Sequence, residues 1–171
     1  MTKITVFDVE TTQEGAKGSP NPYYPENKLI SIGINEEYLF FWHPQLSDID
    51  LTNNKKIVQK ILDETDILVG HNIKFDLSWI YSCGFTYEGK IYDTMNAEYI
   101  LARGQRQRIS LSECCIRRNL IQKATSLIDT YTSQGMTFKD IPPKDIEFYG
   151  RRDVECTRQL FLSQCKDFSY R

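Results

Sequence analysis

At 171 residues, the chain has room for one domain and excludes two enzymes in tandem, so residues 1–171 are read as a single unit. Its share of apolar and aromatic residues is enough for a packed core and excludes a disordered chain. Lys plus Arg number 21 against 23 Asp plus Glu, so a nucleic-acid partner would have to be held by local charge, not by a basic surface overall.

No stretch approaches the roughly 18 apolar residues of a membrane span. Residues 1–3 run straight into a strand pattern without a signal-peptide core. The expectation is a cytosolic protein with no membrane partner. Cysteines at 83, 114, 115, 156 and 165 form no CxxC pair and have no histidine at finger spacing. Free thiols are expected, not a disulfide framework or structural zinc.

In chain order, residues 3–10 read as a strand: Ile4 and Val6 alternate with Phe7 and Val9, so both faces are apolar, as in mid-sheet. A Gly-, Pro- and Asn-rich stretch follows to about Asn27. Residues 29–34 and 38–42 then alternate as two strands joined at Asn35 and Glu36, completing an antiparallel trio. The spacing of Ile57, Val58, Ile61 and Leu62 predicts a helix over 52–65, and residues 66–70 a short apolar strand.

A second helix is expected from Asn72, as its N-cap, to about Cys83. Residues 90–92 read as an edge strand before a helix opened by Asp93, and Ser110 to Glu113 as a capping box for a helix ending near Asn119. Residues 121–143 read as irregular, with Gly135 and the Pro142–Pro143 pair as breakers, and 144–167 as a long final helix. Antiparallel strands followed by strands alternating with helices make an α/β mixed sheet.

The first strand ends in Asp8-Val9-Glu10. Side chains at i and i+2 share one face, so both carboxylates enter the same space about 6 to 7 Å apart. Two acids at the end of a buried strand cost several kcal/mol of desolvation unless solvent or a bound cation compensates. Asp76 lies four residues after Asn72 on the second helix. Tyr149 and Asp153, also at i and i+4, are neighbours on one face of the last helix. Singly, each reads as a cap or a surface acid. Together, four acids and a tyrosine one turn before the last are a donor set for two hard divalent cations.

Phe7-Asp8-Val9-Glu10-Thr11, Gly70-His71-Asn72-Ile73-Lys74-Phe75-Asp76 and Tyr149-xxx-Asp153 match three motifs in order. With the segments around Tyr92 to Met95, Tyr99 to Leu101 and Ser110-Leu111 that join them, the chain resembles the proofreading 3'→5' exonuclease domains of family-A DNA polymerases. These form the tyrosine-containing (DEDDy) branch of the ribonuclease H-like exonucleases. The histidine branch would place His where Phe148 stands. The resemblance implies a ligand set of Asp8, Glu10, Asp76 and Asp153 for two divalent cations, Mg²⁺ or Mn²⁺. Asp8, Glu10 and Asp153 would hold the one that activates water, and Asp8, with Asp76 largely through water, the one facing the leaving oxygen. It further implies that Tyr149 orients the attacking water, that Thr11 (with Glu10) contacts the terminal sugar, and that Asn72 meets the strand nearby.

One departure from the family is that Thr12, Gln13 and Glu14 are polar where an apolar side chain often wedges against the terminal bases. Tyr23 or Tyr24 is the candidate stacking surface in its place. Clustered carboxylates repel by about 4 kcal/mol per close pair at an effective dielectric of 20, so partial protonation is expected before cations bind.

The arginines at 103, 106, 108, 117 and 118 are expected on solvated helix faces, with Arg151 and Arg152 beside the site as candidate phosphate contacts. His71 and His43 are read as structural or incidental, and Asp93 as a cap. The leading expectation is a metal-dependent exonuclease that releases 5'-mononucleotides from single-stranded or frayed DNA 3' ends. The alternatives are an RNA 3'-trimming enzyme and a non-catalytic nucleic-acid-binding or polymerase-docking module. Met1 directly before the first strand favours a free-standing enzyme, with a separately encoded DNA polymerase as partner, over an excised domain.

Overall fold

The computed structural model describes residues 2–169, apart from the side chain of Ala16. Five strands form one sheet: β1 (Ile4–Thr11), β2 (Leu29–Ile34), β3 (Glu37–Phe40), β4 (Ile67–Gly70) and β5 (Lys90–Asp93), in the order β3-β2-β1-β4-β5. β1 is central, as its two apolar faces require. It pairs antiparallel with β2 and parallel with β4, with β3 and β5 at the edges. This is the mixed sheet that the ribonuclease H-like resemblance implies. The β2–β3 turn places Asn35 at φ 51, a left-handed conformation that Asn tolerates in two-residue hairpins.

Six helices cover the sheet: α1 (Asp48–Asp63), α2 (Ile73–Ser82), α3 (Thr94–Leu101), α4 (Leu111–Arg117), α5 (Thr125–Thr132) and α6 (Pro143–Ser169). Phe7 and Val9 pack with Val58 and Leu62 of α1 and Leu77 and Ile80 of α2. Val6 and Val69 pack with Val154 and Phe161 of α6. The sheet is therefore a middle layer. Because Val6 shares a strand face with Asp8 and Glu10, both acids point toward α6. α6 lies close on the sheet through small residues. A Cβ at Gly33 would stand 2.8 Å from Val154 Cγ2, and one at Gly150 would overlap the Tyr38 hydroxyl.

Four local readings need correction. α1 begins four residues before the expected Thr52. Ser47 Oγ accepts from the Asp50 amide at 3.1 Å, with Asp48 and Asp50 in the first turn, and Ile49 is too exposed to signal a core face. Asn72 does not cap α2 with its side chain. It is left-handed (φ 60), and its amide donates to Asp93 Oδ1 at 3.0 Å.

Residues 121–143, read as irregular, contain α5. Its threonines have poor helix propensity, and it is held by packing of Ile128 and Tyr131 with Ile30, Tyr38, Ile141 and Ile146. Arg118 is not on a solvated face, and Arg117, though exposed, is not free there. Both clamp the buried Glu98 at 2.9 Å, tying α4 to α3. Asp93 does cap α3, accepting from the Met95 amide at 2.9 Å. The five cysteines are free thiols. Among the described residues, no helix is long and apolar enough to cross a membrane.

Candidate active site

β1 carries Asp8 and Glu10 to its C-terminal end, where the register with β2 breaks between Glu10 and Thr11. A bulge at this point re-aims side chains at a sheet rim. From the opposite layer, α6 brings Asp153, one turn after Tyr149. One carboxylate oxygen from each of Asp8, Glu10 and Asp153 lies within 4.8 Å of the other two. Asp76 stands beside this trio and is not one of it. Its Oδ1 accepts from the Val9 amide at 3.1 Å, which fixes α2 against the strand between the two β1 acids.

Burial dominates the electrostatics. It pushes the Asp8 carboxyl up to about 7, with Asp153's charge adding to the effect and Lys123 opposing it. Burial also raises Glu10 well above the carboxylate range, reinforced by Asp8 and Asp153. Asp76 is raised by burial and by Asp8. Asp153 is raised by burial, against the pull of Lys123 and Tyr149. Four acids that resist ionisation in one place are poised to gain from a cation.

The donors fit a hard divalent ion. All are carboxylate oxygens, and Asp153 Oδ1 is buried with no hydrogen-bond partner among the described residues. The Tyr149 hydroxyl, raised by burial and by Asp153, stays protonated at neutral pH. Phe138 meets its ring edge to face at 6.1 Å.

The other predicted positions divide. Asn72 is exposed at the start of α2, whereas Thr11 is buried at the end of β1. Glu14, the last of the three polar residues past the first motif, pairs with Lys139 at 2.9 Å. Tyr23 is exposed and lines a groove of about 720 Å³ with Ile73, Lys74, Ile91 and Ile100, a groove to which none of the four acids contributes. Arg151 binds Glu147 at 2.7 Å and the Glu36 carbonyl, and lies over the Tyr38 ring, while Arg152 lies over Phe148. His71 is structural: its ring nitrogens meet Thr94 Oγ1 at 2.9 Å and the Ile109 carbonyl at 3.0 Å.

Sequence reading missed Lys123. It follows α4 in the segment leading to α5, and its Nζ meets Asp153 Oδ2 at 2.6 Å and lies 5.3 Å from the centre of the Tyr149 ring. A lone lysine 30 residues from its partner has no periodic signal.

Residues 7–163 match the family model for the 3'-5' exonuclease of A-type DNA polymerases (DNA_pol_A_exo1). The chain belongs to this exonuclease family. As a 3'-5' exonuclease it is an enzyme of phosphodiester hydrolysis, and its acidic cluster is one that could hold a metal ion. The exonuclease is 28% identical over 168 residues to DNA polymerase I of Aquifex aeolicus (strain VF5), a match over 91% of this chain and 26% of the polymerase. It thus spans about a quarter of that relative's length.

Among solved structures, Brucella melitensis NrnC with bound Mg²⁺ superposes with a TM-score of 0.60 at 18% identity, over 96% of this chain and 73% of that one. The same nuclease bound to pGG superposes with a TM-score of 0.60, also at 18% identity, over 95% and 72%. These likenesses show a shared fold.

Proposed function

We propose that this exonuclease removes 5'-mononucleotides stepwise from the 3' end of single-stranded or frayed DNA, as a proofreading activity in replication does. Asp8, Glu10, Asp76 and Asp153 would hold two divalent cations, Mg²⁺ or Mn²⁺. The observation that carries this reading is the convergence of Asp8, Glu10 and Asp153 within 4.8 Å at the end of the central strand, in a chain of this family.

Water attacks the terminal phosphorus and the P–O3' bond breaks. The shortened strand keeps a 3'-hydroxyl and the released nucleotide a 5'-phosphate. The cations, when bound, supply a water acidic enough to attack at neutral pH and stabilise charge on the leaving oxygen. The protein's own groups position the reactants. Tyr149, held protonated, orients the attacking water through its hydroxyl and is no tyrosinate base. The buried Asp153 and Glu10 exclude bulk solvent from one side of the phosphorus. Thr11, next to Glu10 on β1, would contact the terminal sugar, and Asn72, at the start of the helix that carries Asp76, the next nucleotide.

DNA is preferred as substrate because the curated relative is a DNA polymerase. RNA is the second reading, favoured by the fold likeness to a nuclease that holds pGG. A separately encoded polymerase would deliver the 3' end in the first case. A non-catalytic docking module has no use for an intact set of acids with its tyrosine.

The test is digestion of 5'-labelled and 3'-labelled DNA and RNA oligonucleotides with Mg²⁺, Mn²⁺ or chelator. The expected result is a ladder shortening from the 3' end of DNA, absent in chelator. Digestion confined to RNA would move the proposal to the second reading, and cleavage persisting in chelator would defeat it.

A further inference from the structure

The cation site already contains a charge of its own. Lys123 Nζ sits 2.6 Å from Asp153 Oδ2, its side chain 18% exposed, while the other oxygen of that carboxylate has no hydrogen-bond partner among the described residues. Asp153 is its ion-pair partner among the described residues, and Lys123 stands between α4 and α5 with its ammonium facing the Tyr149 ring, 5.3 Å from the ring centre. A surface salt bridge of this kind contributes little to stability, but a buried one competes directly with any other cation for the same oxygens.

We infer that Lys123 is the resident counter-ion of Asp153, displaced when divalent cations bind and then turned to the scissile phosphate of the substrate. This rests on reading the acids as a cation site. The charge count favours such an exchange. The four carboxylates, Lys123, two divalent cations and one phosphodiester together carry no net charge, whereas without the phosphodiester the loaded site is left positive. An ammonium that loses Asp153 to a cation therefore has one new anion within reach, the phosphate that the reaction brings. The arrangement couples the two ligands: substrate gives Lys123 a partner, and the freed carboxylate holds metal more tightly. Lys123 would thus keep the empty site compact and make full metal loading depend on substrate.

The experiment is calorimetric titration of the metal-free protein with Mn²⁺, without nucleic acid, in wild type, Lys123→Met, Lys123→Gln and Lys123→Arg, followed by kcat and KM on the oligonucleotide that wild type digests. Loss of the competing charge is expected to tighten Mn²⁺ roughly tenfold in the Met and Gln variants. Lys123→Arg, which keeps the charge, stays near wild type. Turnover by the neutral variants falls roughly 10²-fold with KM changing less, and Lys123→Arg recovers part of it. Lys123→Gln retains a hydrogen-bond donor for Asp153, so it reports on charge alone if Lys123→Met fails to fold.

Unchanged or weaker Mn²⁺ binding in both neutral variants overturns the exchange, and so does tighter binding with unaltered kcat, which leaves no contact with phosphate. A wild-type protein that binds no Mn²⁺ defeats the underlying reading of the acids. Tighter Mn²⁺ binding in the neutral variants of a protein inactive on both DNA and RNA would uphold the competition while rejecting the proposed reaction.

Discussion

Asp8→Ala is expected to lower exonuclease turnover by about 10³-fold or more, the equivalent of roughly 4 kcal/mol of transition-state stabilisation. The same substitution should raise the melting temperature of the metal-free protein at pH 8. Both effects come from one fact. Burial and the neighbouring Asp153 hold the Asp8 carboxyl up at about 7, far above its value in an unfolded chain. The folded state therefore binds a proton that the unfolded state has already lost. The stability linked to that proton is fully present below the unfolded pKa and is lost as pH rises through about 7. At pH 8 Asp8 is ionised, repelled by its neighbours and costly to the fold, so its removal relieves the fold while depriving the proposed cation site of a donor. A variant that is less stable and yet fully active would contradict this account. Thermal melts with chelator, beside the digestion assay, measure both quantities.

The second large effect is expected at a residue that touches no substrate. Gly150→Ala places a methyl group where the Tyr38 hydroxyl lies. Alanine favours a helix over glycine by about 1 kcal/mol, so local propensity alone predicts stabilisation. Tyr38 has nowhere to go. It is buried, its hydroxyl bonds Ser31 at 2.8 Å and donates to the Ile146 carbonyl at 3.1 Å, and its ring packs on Phe40. Overpacking of such a site costs about 1 to 3 kcal/mol and is relieved by lifting α6. Because Tyr149 and Asp153 flank Gly150 on that helix, a shift near 1 Å would misplace both relative to β1 and cost roughly 10²-fold in turnover. Melting temperature and kcat are both expected to fall. A stabilised, fully active Gly150→Ala would show that the helix approach does not set the geometry of the site.

The parts of the fold that were legible in the sequence are those in which one physical signal dominates. β1 was readable because Ile4, Val6, Phe7 and Val9 leave no polar face, and α6 because its apolar stripe runs through Val154, Leu160 and Phe161. The acids were readable because strand and helix periodicities place Asp8 with Glu10 and Tyr149 with Asp153. What escaped is held by contacts between distant residues. α5 has three threonines and exists through its packing on β2, β3 and α6. The lysine on Asp153, and the tyrosine beneath Gly150, are tertiary pairings without local spacing. The arginines at the end of α4 look like surface charges until the buried Glu98 of α3 is placed between them.

The central claim, that Asp8, Glu10 and Asp153 form a cation site, is tested most directly by calorimetric titration of the wild-type protein with Mn²⁺ at pH 6 and pH 8, beside Asp153→Asn. A carboxyl held at about 7 must lose its proton to bind, so the account predicts saturable binding that is tighter at pH 8 than at pH 6, releases protons to buffer near pH 7, and is lost or greatly weakened in Asp153→Asn. Binding that is equally tight at both pH values, and unaltered by Asp153→Asn, would contradict it.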